Sequence, residues 1–206
     1  MSTGLTSETI PDASPEARLS FRRALRKRCV ERRLALPASE CAILSTKICD
    51  QLRAHFPQLS TMRVGFCWPV NNEPDLLPLI ESWINGSEAR FAALLPVVQE
   101  TGKPLAFRAW TPESTMIADR FGIPTPAEGQ FMVPEALLIP VNAFDGAGYR
   151  IGYGGGFFDR TLTSIKPPPL SIGVGFELAR VDSVRPEPHD VRLDAMVSEA
   201  GVFTHS

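Results

Sequence analysis

The feature that most restricts how this chain can fold is an apolar run, Ala136-Leu-Leu-Ile-Pro-Val141, that passes into a glycine-rich stretch and then a short helical pattern. Leu137 to Val141 reads as a buried strand. Six glycines between Gly146 and Gly156 remove side-chain packing and free the backbone, so the residues after Val141 are not expected to continue a strand. Glycine supplies positive φ without steric cost and lets backbone N–H groups close around an anion. Phe157-Phe-Asp-Arg-Thr-Leu162 resumes apolar residues at helical spacing, which places the glycines before a helix N-terminus, an end that favours negative charge. With Arg150 in the loop and Asp159 opening the helix, the stretch predicts a phosphate site with a cation and a potential metal ligand. The competing reading is a solvent-exposed hairpin or flexible turn. The loop lacks the Gly-Lys-Ser/Thr ending of a P-loop, and neither it nor Gly173-Val-Gly175 completes Gly-x-Gly-x-x-Gly.

The remaining elements predict an α/β fold. Ser14-Pro15-Glu16 is a helix start, with a helix to about Leu36. Ser39 to Phe56 carries an apolar stripe of Cys41, Leu44, Ile48 and Leu52 and reads as a core helix. Arg63 to Trp68, Arg90 to Pro96, Leu105 to Trp110 and Leu170 to Phe176 read as strands, the third as an edge because its residues alternate. Glu73-Pro74-Asp75 is expected to open a helix that ends near Gly86. Strands alternating with helices imply a single-domain, three-layer α/β/α sandwich with a mostly parallel, Rossmann-like sheet. Ligands of such sheets bind outside the strands' carboxyl ends, so the exits after Trp68, Val141 and Phe176 are expected to share one cleft.

At 206 residues the chain suits one domain, read as residues 14–206 behind a disordered tail of residues 1–13. A formal net charge of −2 argues against a dedicated nucleic-acid binder. Cys29, Cys41, Cys49 and Cys67 form no Cys-x-x-Cys pair and read as reduced thiols, and His55, His189 and His205 make no zinc pattern. No apolar stretch reaches the length of a membrane span, and Met1 to Ala13 lacks a secretory signal's basic start. The expectation is a cytoplasmic protein that is a monomer or a weak homo-oligomer, without nucleic-acid or membrane partners.

Phe144-Asp145, Gly148-Tyr-Arg150-Ile-Gly152-Tyr-Gly154-Gly-Gly156-Phe-Phe-Asp159-Arg160 resembles the signature of the 5-formyltetrahydrofolate cyclo-ligase (methenyltetrahydrofolate synthetase) family. The likeness takes in the basic first helix, the Glu73 region and His189-Asp190 with Asp194, and so spans roughly residues 16 to 200. What the resemblance implies is ATP- and Mg²⁺-dependent conversion of 5-formyltetrahydrofolate, with or without a polyglutamate tail, to 5,10-methenyltetrahydrofolate, ADP and phosphate. Arg150 would be the catalytic cation. ATP would be held by Arg22, Arg23, Arg26, Arg150, Ile151, Gly152, Tyr153, Gly154, Gly155, Gly156, Phe157 and Phe158. The folate would be held by Glu73, Tyr153, Phe157 and Phe121, and Mg²⁺ by Asp159 and Asp190, with Asp194 the alternative that spacing leaves open.

Each implied residue also has an ordinary reading: Arg22 and Arg26 as part of a solvated basic face, Glu73 as an acid at a helix N-terminus, Phe121 and Trp110 as core aromatics, and the closing aspartates as turn residues. Tyr153 and Gly155 stand where some relatives carry basic residues, Leu76 where a threonine is frequent, and Thr125 where a glutamate is usual. The alternatives in other classes are a non-catalytic folate- or nucleotide-binding relative and a phosphosugar enzyme of similar fold.

Overall fold

Apolar side chains point to both faces of the strand that precedes the glycine loop, and the layers follow from that. The computed structural model describes residues 14–86 and 90–204; the expected tail of residues 1–13 and His205 lie outside them. Among the described residues there are four α-helices: α1 (Pro15–Leu34), α2 (Ala38–His55), α3 (Leu77–Gly86) and α4 (Phe157–Ser164). The strands are β1 (Arg63–Gly65), β2 (Ala92–Val97), β3 (Ala106–Trp110), β4 (Met116–Ala118), β5 (Pro124–Pro126), β6 (Ala136–Pro140), β7 (Ala143–Asp145), β8 (Arg150–Ile151), β9 (Leu170–Val174), β10 (Arg180–Val181), β11 (Ala195–Ser198) and β12 (Gly201–Thr204).

Seven strands form the main sheet in the order β12-β11-β9-β6-β1-β2-β3. The pairings β2–β1, β1–β6, β6–β9 and β9–β11 are parallel, while β3 and β12 run antiparallel at the two edges. The expected mostly parallel α/β sheet is therefore present. Period-two alternation sends Ala136 and Leu138 to one face, where they pack with Ile48 and Leu52 of α2 and Leu79, Ile80 and Trp83 of α3. Leu137 and Ile139 go to the other face, against Phe144 of β7 and Leu162 of α4. That second layer is part helix and part sheet, because β10, β7 and β8 form a small sheet of their own. Helix α1 packs Leu25 and Cys29 on this small sheet at Ala143 and Ile151.

Some expected boundaries move. The residues after Val141 do pair: Ala143 and Phe144 of β7 oppose Ile151 and Arg150 of β8 in a buried antiparallel hairpin. Asp145 makes this possible among the glycines, since its Oδ1 accepts the N–H groups of Ala147 and Tyr149 and its Oδ2 accepts that of Val184. Strand β1 ends at Gly65, earlier than the expected Trp68. Helix α3 starts at Leu77, four residues after Glu73, with Asp75 Oδ1 accepting the Leu77 N–H. Glu73 is thus not the acid of a helix N-terminus. Strand β1 continues through α3 to β2 on one side, whereas β6 lies on its other side, so the strand order reverses between β1 and β6. Open α/β sheets bind ligands at such a switch point.

Candidate functional site

The chain leaving β1 turns back at Val70 to Glu73, with Asn71 and Asn72 at φ 53 and 56°. Asparagine tolerates this left-handed region better than most residues. The Asn72 side chain donates to the carbonyls of Arg33 and Leu36 and so caps the C-terminal end of α1. The turn and the helix end are thereby joined, and Glu73 is buried between them.

Glu73 is met from three sides. Tyr153 Oη donates to its Oε1 at 2.8 Å, the Val70 N–H donates to its Oε2 at 3.2 Å, and Arg33 Nη2 lies 3.8 Å from Oε1. Burial pushes the Glu73 carboxyl above the usual range, while the Arg33 charge, the Tyr153 hydroxyl and the Val70 N–H pull it back. Burial and the Glu73 charge likewise push the neighbouring Cys67 thiol up. Both residues line a cavity of about 10 Å³ together with Pro140 and Val174, beyond the ends of β1, β6 and β9.

On the other side stands the glycine loop. Gly154 (φ +96°) and Gly156 (φ +64°) occupy the left-handed region, and Gly156 leads into α4. Arg26 Nε donates to the Gly152 carbonyl at 2.6 Å, and a Cβ on Gly154 would sit 3.2 Å from the Arg26 guanidinium. Among the described residues no carboxylate pairs with Arg26, and burial with the like charges of Arg22 and Arg23 lowers its pKa. A partly buried cation held against a glycine loop and repelled by its neighbours suits an incoming anion. Gly154→Ala is therefore expected to weaken anion binding at the loop about tenfold or more, from backbone strain together with displacement of Arg26; calorimetric titration with inorganic triphosphate checks it.

The predicted residues divide as follows. Arg22 is buried and held by Asp190 in a two-pronged pair, at 2.6 Å (Nη1–Oδ2) and 3.1 Å (Nη2–Oδ1). Arg23 is exposed on α1. Arg150 is buried; it donates to the Val191 carbonyl at 2.8 Å and to Asp159 Oδ1 at 3.0 Å, and the Val191 N–H donates to that same oxygen. Ile151 packs under α1, and Phe158 packs toward the second core layer. Phe157 stays at the loop mouth, edge-on to the exposed Phe121 at 6.2 Å, with Arg160 over its ring. Trp110 is core, edge-on to Phe66 and Trp68, as its ordinary reading has it. Asp194 accepts from the N–H and hydroxyl of Ser171 near the amino end of β9, at the end of the sheet opposite the crevice.

Two residues of the site lie outside the sequence expectation. Arg33 is buried and donates to the Asn71 carbonyl (2.9 Å), Asn142 Oδ1 (2.9 Å) and Tyr153 Oη (3.0 Å). Its signal was available: it follows Arg22 by eleven residues, about three helical turns, on the same face of α1. Asn142 is a buried amide just after a doubly apolar strand, and its Nδ2 has no partner among the described residues.

Among the described residues no group of three or more His, Cys, Asp or Glu side chains gathers as a metal site. Two carboxylates suit magnesium nonetheless, because that ion usually takes one or two protein oxygens and completes its shell with phosphates and water. Asp159 fits best, since no described donor bonds its Oδ2; both oxygens of Asp190 lie in the Arg22 fork.

A model of the 5-formyltetrahydrofolate cyclo-ligase family matches residues 18–199. A 5-formyltetrahydrofolate cyclo-ligase of Escherichia coli is 28% identical over 182 residues, covering 84% of this chain and 97% of the relative. Its counterpart in Mycolicibacterium smegmatis is 32% identical over 134 residues, covering 61% and 67%. Among solved structures, the 5,10-methenyltetrahydrofolate synthetase of Aquifex aeolicus superimposes with a TM-score of 0.77 at 26% identity, covering 89% of this chain and 92% of that one.

Proposed function

The chain belongs to the 5-formyltetrahydrofolate cyclo-ligase family, and from that premise we propose that it closes 5-formyltetrahydrofolate to 5,10-methenyltetrahydrofolate at the expense of ATP. One observation carries the reading: Tyr153 of the glycine loop bonds Glu73 of the β1 exit at 2.8 Å. A phosphate-type loop and a carboxylate suited to the N–H donors of a pterin therefore meet at the switch point of the sheet.

A formamide carbonyl is a poor electrophile and its oxygen a poor leaving group. In the proposed reaction the formyl oxygen bonds to the γ-phosphorus of ATP as the bond to ADP breaks, giving an iminium phosphate. Nitrogen 10 of the folate then adds to the formyl carbon and gives up its proton, and phosphate leaves with the oxygen, carrying that proton. Phosphoryl transfer of this kind is driven by positioning and charge neutralisation. The residues present are of that type. Arg22 and Arg26 bring two guanidinium groups from one face of α1, the glycine loop brings backbone N–H groups, and Arg150 lies beneath it. Exposed Arg23 would act on ATP by charge alone. Mg²⁺ would neutralise phosphate oxygens when bound, with Asp159 as its protein ligand; service by Asp190 would require Arg22 to release one oxygen. Glu73 would accept from the pterin while Phe157 and Phe121 flank the entrance, and the orphan Asn142 Nδ2 is a donor in reserve. Four unpaired cysteines suit a reducing cytoplasm, and no described helix is long and apolar enough to cross a membrane.

The test is near-ultraviolet absorbance of the methenyl product with 5-formyltetrahydrofolate, ATP and Mg²⁺, each omitted in turn. Product that needs all three and appears with equal ADP supports the reading. Ligand binding without product would favour a non-catalytic relative.

Glu73→Gln is expected to raise the folate KM roughly 10- to 100-fold, the worth of a hydrogen bond to a charged acceptor, with ATP KM unchanged. An unchanged folate KM would remove Glu73 as a substrate contact. Burial raises this carboxyl, so between the ordinary and the raised value the folded chain binds more protons than the unfolded one. Its contribution to stability is greatest below the ordinary range and is lost as pH rises through that window. The ionised acceptor forms over the same window. Thermal stability and folate affinity should therefore move in opposite directions with pH there, and Glu73→Gln should weaken both dependences.

A further inference from the structure

We propose that Arg33 is a positioning residue that joins the glycine loop to the Glu73 turn, so that the phosphate side and the pterin side of the crevice hold one geometry. The proposal deepens the cyclo-ligase reading and rests on it for what the two sides bind. Its basis is the guanidinium fork, which is buried and bonded in three directions. Nε reaches the Asn71 carbonyl in the turn after β1, Nη1 reaches Asn142 Oδ1 at the end of β6, and Nη2 reaches Tyr153 Oη in the loop, at 2.9, 2.9 and 3.0 Å.

The Tyr153 hydroxyl passes the link on. It donates to Glu73 Oε1 at 2.8 Å and accepts from Asn71 Nδ2 at 3.3 Å, so the turn and the loop share a second bond beside the fork. Arg33 also faces the Glu73 carboxylate at 3.8 Å, which makes it the counter-charge of a buried acid as well as a strut. Loss of a buried partner leaves the other group unpaired, so neither task passes easily to a neighbour. The fork further orients Asn142: with Oδ1 accepting from Nη1, the amide must present its unpartnered Nδ2 elsewhere. A lysine keeps the charge but has no planar fork with which to bridge three acceptors.

Amide hydrogen exchange on the ligand-free protein tests this without any appeal to activity. The reporters are Glu73, whose N–H bonds the Val70 carbonyl, on one side, and Asn142, whose N–H bonds the Ile151 carbonyl, on the other. Phe66, bonded to Leu94, and Gly175, bonded to Val197, serve as references in the core. Arg33→Met and Arg33→Lys are both expected to speed exchange at Glu73 and Asn142 about tenfold or more, leaving the references unchanged. In turnover, Arg33→Lys should raise the KM for folate and for ATP together, unlike Glu73→Gln. Acceleration at one side alone would overturn the proposal, as would equal acceleration at the references. Wild-type exchange restored by lysine would reduce Arg33 to a counter-charge and overturn it too. Absence of methenyl product from the wild type would count against the cyclo-ligase reading, while the exchange result would still decide the role of Arg33.

Discussion

Asp190→Ala is expected to lower the thermal midpoint by roughly 6–12 °C, the equivalent of about 3 kcal/mol in a chain of this length. The Arg22 and Asp190 side chains are only 11% and 7% exposed, so solvent does little to screen them. Arg22 Nη1 also donates to the Arg185 carbonyl, and Asp190 Oδ2 accepts the Glu187 N–H at 2.7 Å. Removing the carboxylate leaves a buried guanidinium without its counter-charge and releases the turn that begins at Glu187. The joint replacement Arg22→Met with Asp190→Leu should recover much of the stability, because no buried charge then stands alone, while the proposed use of ATP stays impaired. Calorimetry of the three proteins decides the matter. A shift below 2 °C for Asp190→Ala would mean that the pair contributes little to stability.

How much of this was legible in the sequence depends on how local each cause is. Ala136 to Val141 carries its own burial pattern, and the Arg22–Arg26 spacing its own helical face, so both could be read directly. The hairpin of β7 and β8 could be read only as a solvent-exposed alternative to the loop, because glycine density hides its burial. What closes it is Asp145, whose acceptors gather N–H groups from Ala147, Tyr149 and the distant Val184. Glu73 shows the same limit: an acid before a helix pattern looks like a capping residue, yet Asp75 performs that task and Glu73 is turned toward Arg33 and Tyr153. Asp190 and Asp194 are indistinguishable by spacing. Only the fold shows that one meets Arg22 beside the crevice and the other braces Ser171 at the opposite end of the sheet.

Arg150→Met is expected to reduce kcat by about 10²–10³, the usual cost of removing one preorganised donor from a site of developing charge. Arg150 sits 6% exposed at the base of the glycine loop, and its two donors close a ring with Asp159 Oδ1 and the backbone of Val191. The ring ties β8, the first turn of α4 and the closing segment together, so it fixes the cation and the proposed magnesium ligand relative to the loop. Arg150→Lys retains the charge but cannot make both bonds of the fork, and kcat should remain depressed. Asp159→Asn separates the two contributions: Val191 keeps an acceptor and Arg150 keeps its place, but the anionic oxygen available to magnesium is gone. That variant should show its loss chiefly as a raised Mg²⁺ requirement, whereas Arg150→Met should lose kcat at every Mg²⁺ concentration. If excess Mg²⁺ restored Arg150→Met to wild-type kcat, Arg150 would be a brace for Asp159, and the transferred charge would have to be met by Arg22, Arg26 and the loop amides alone.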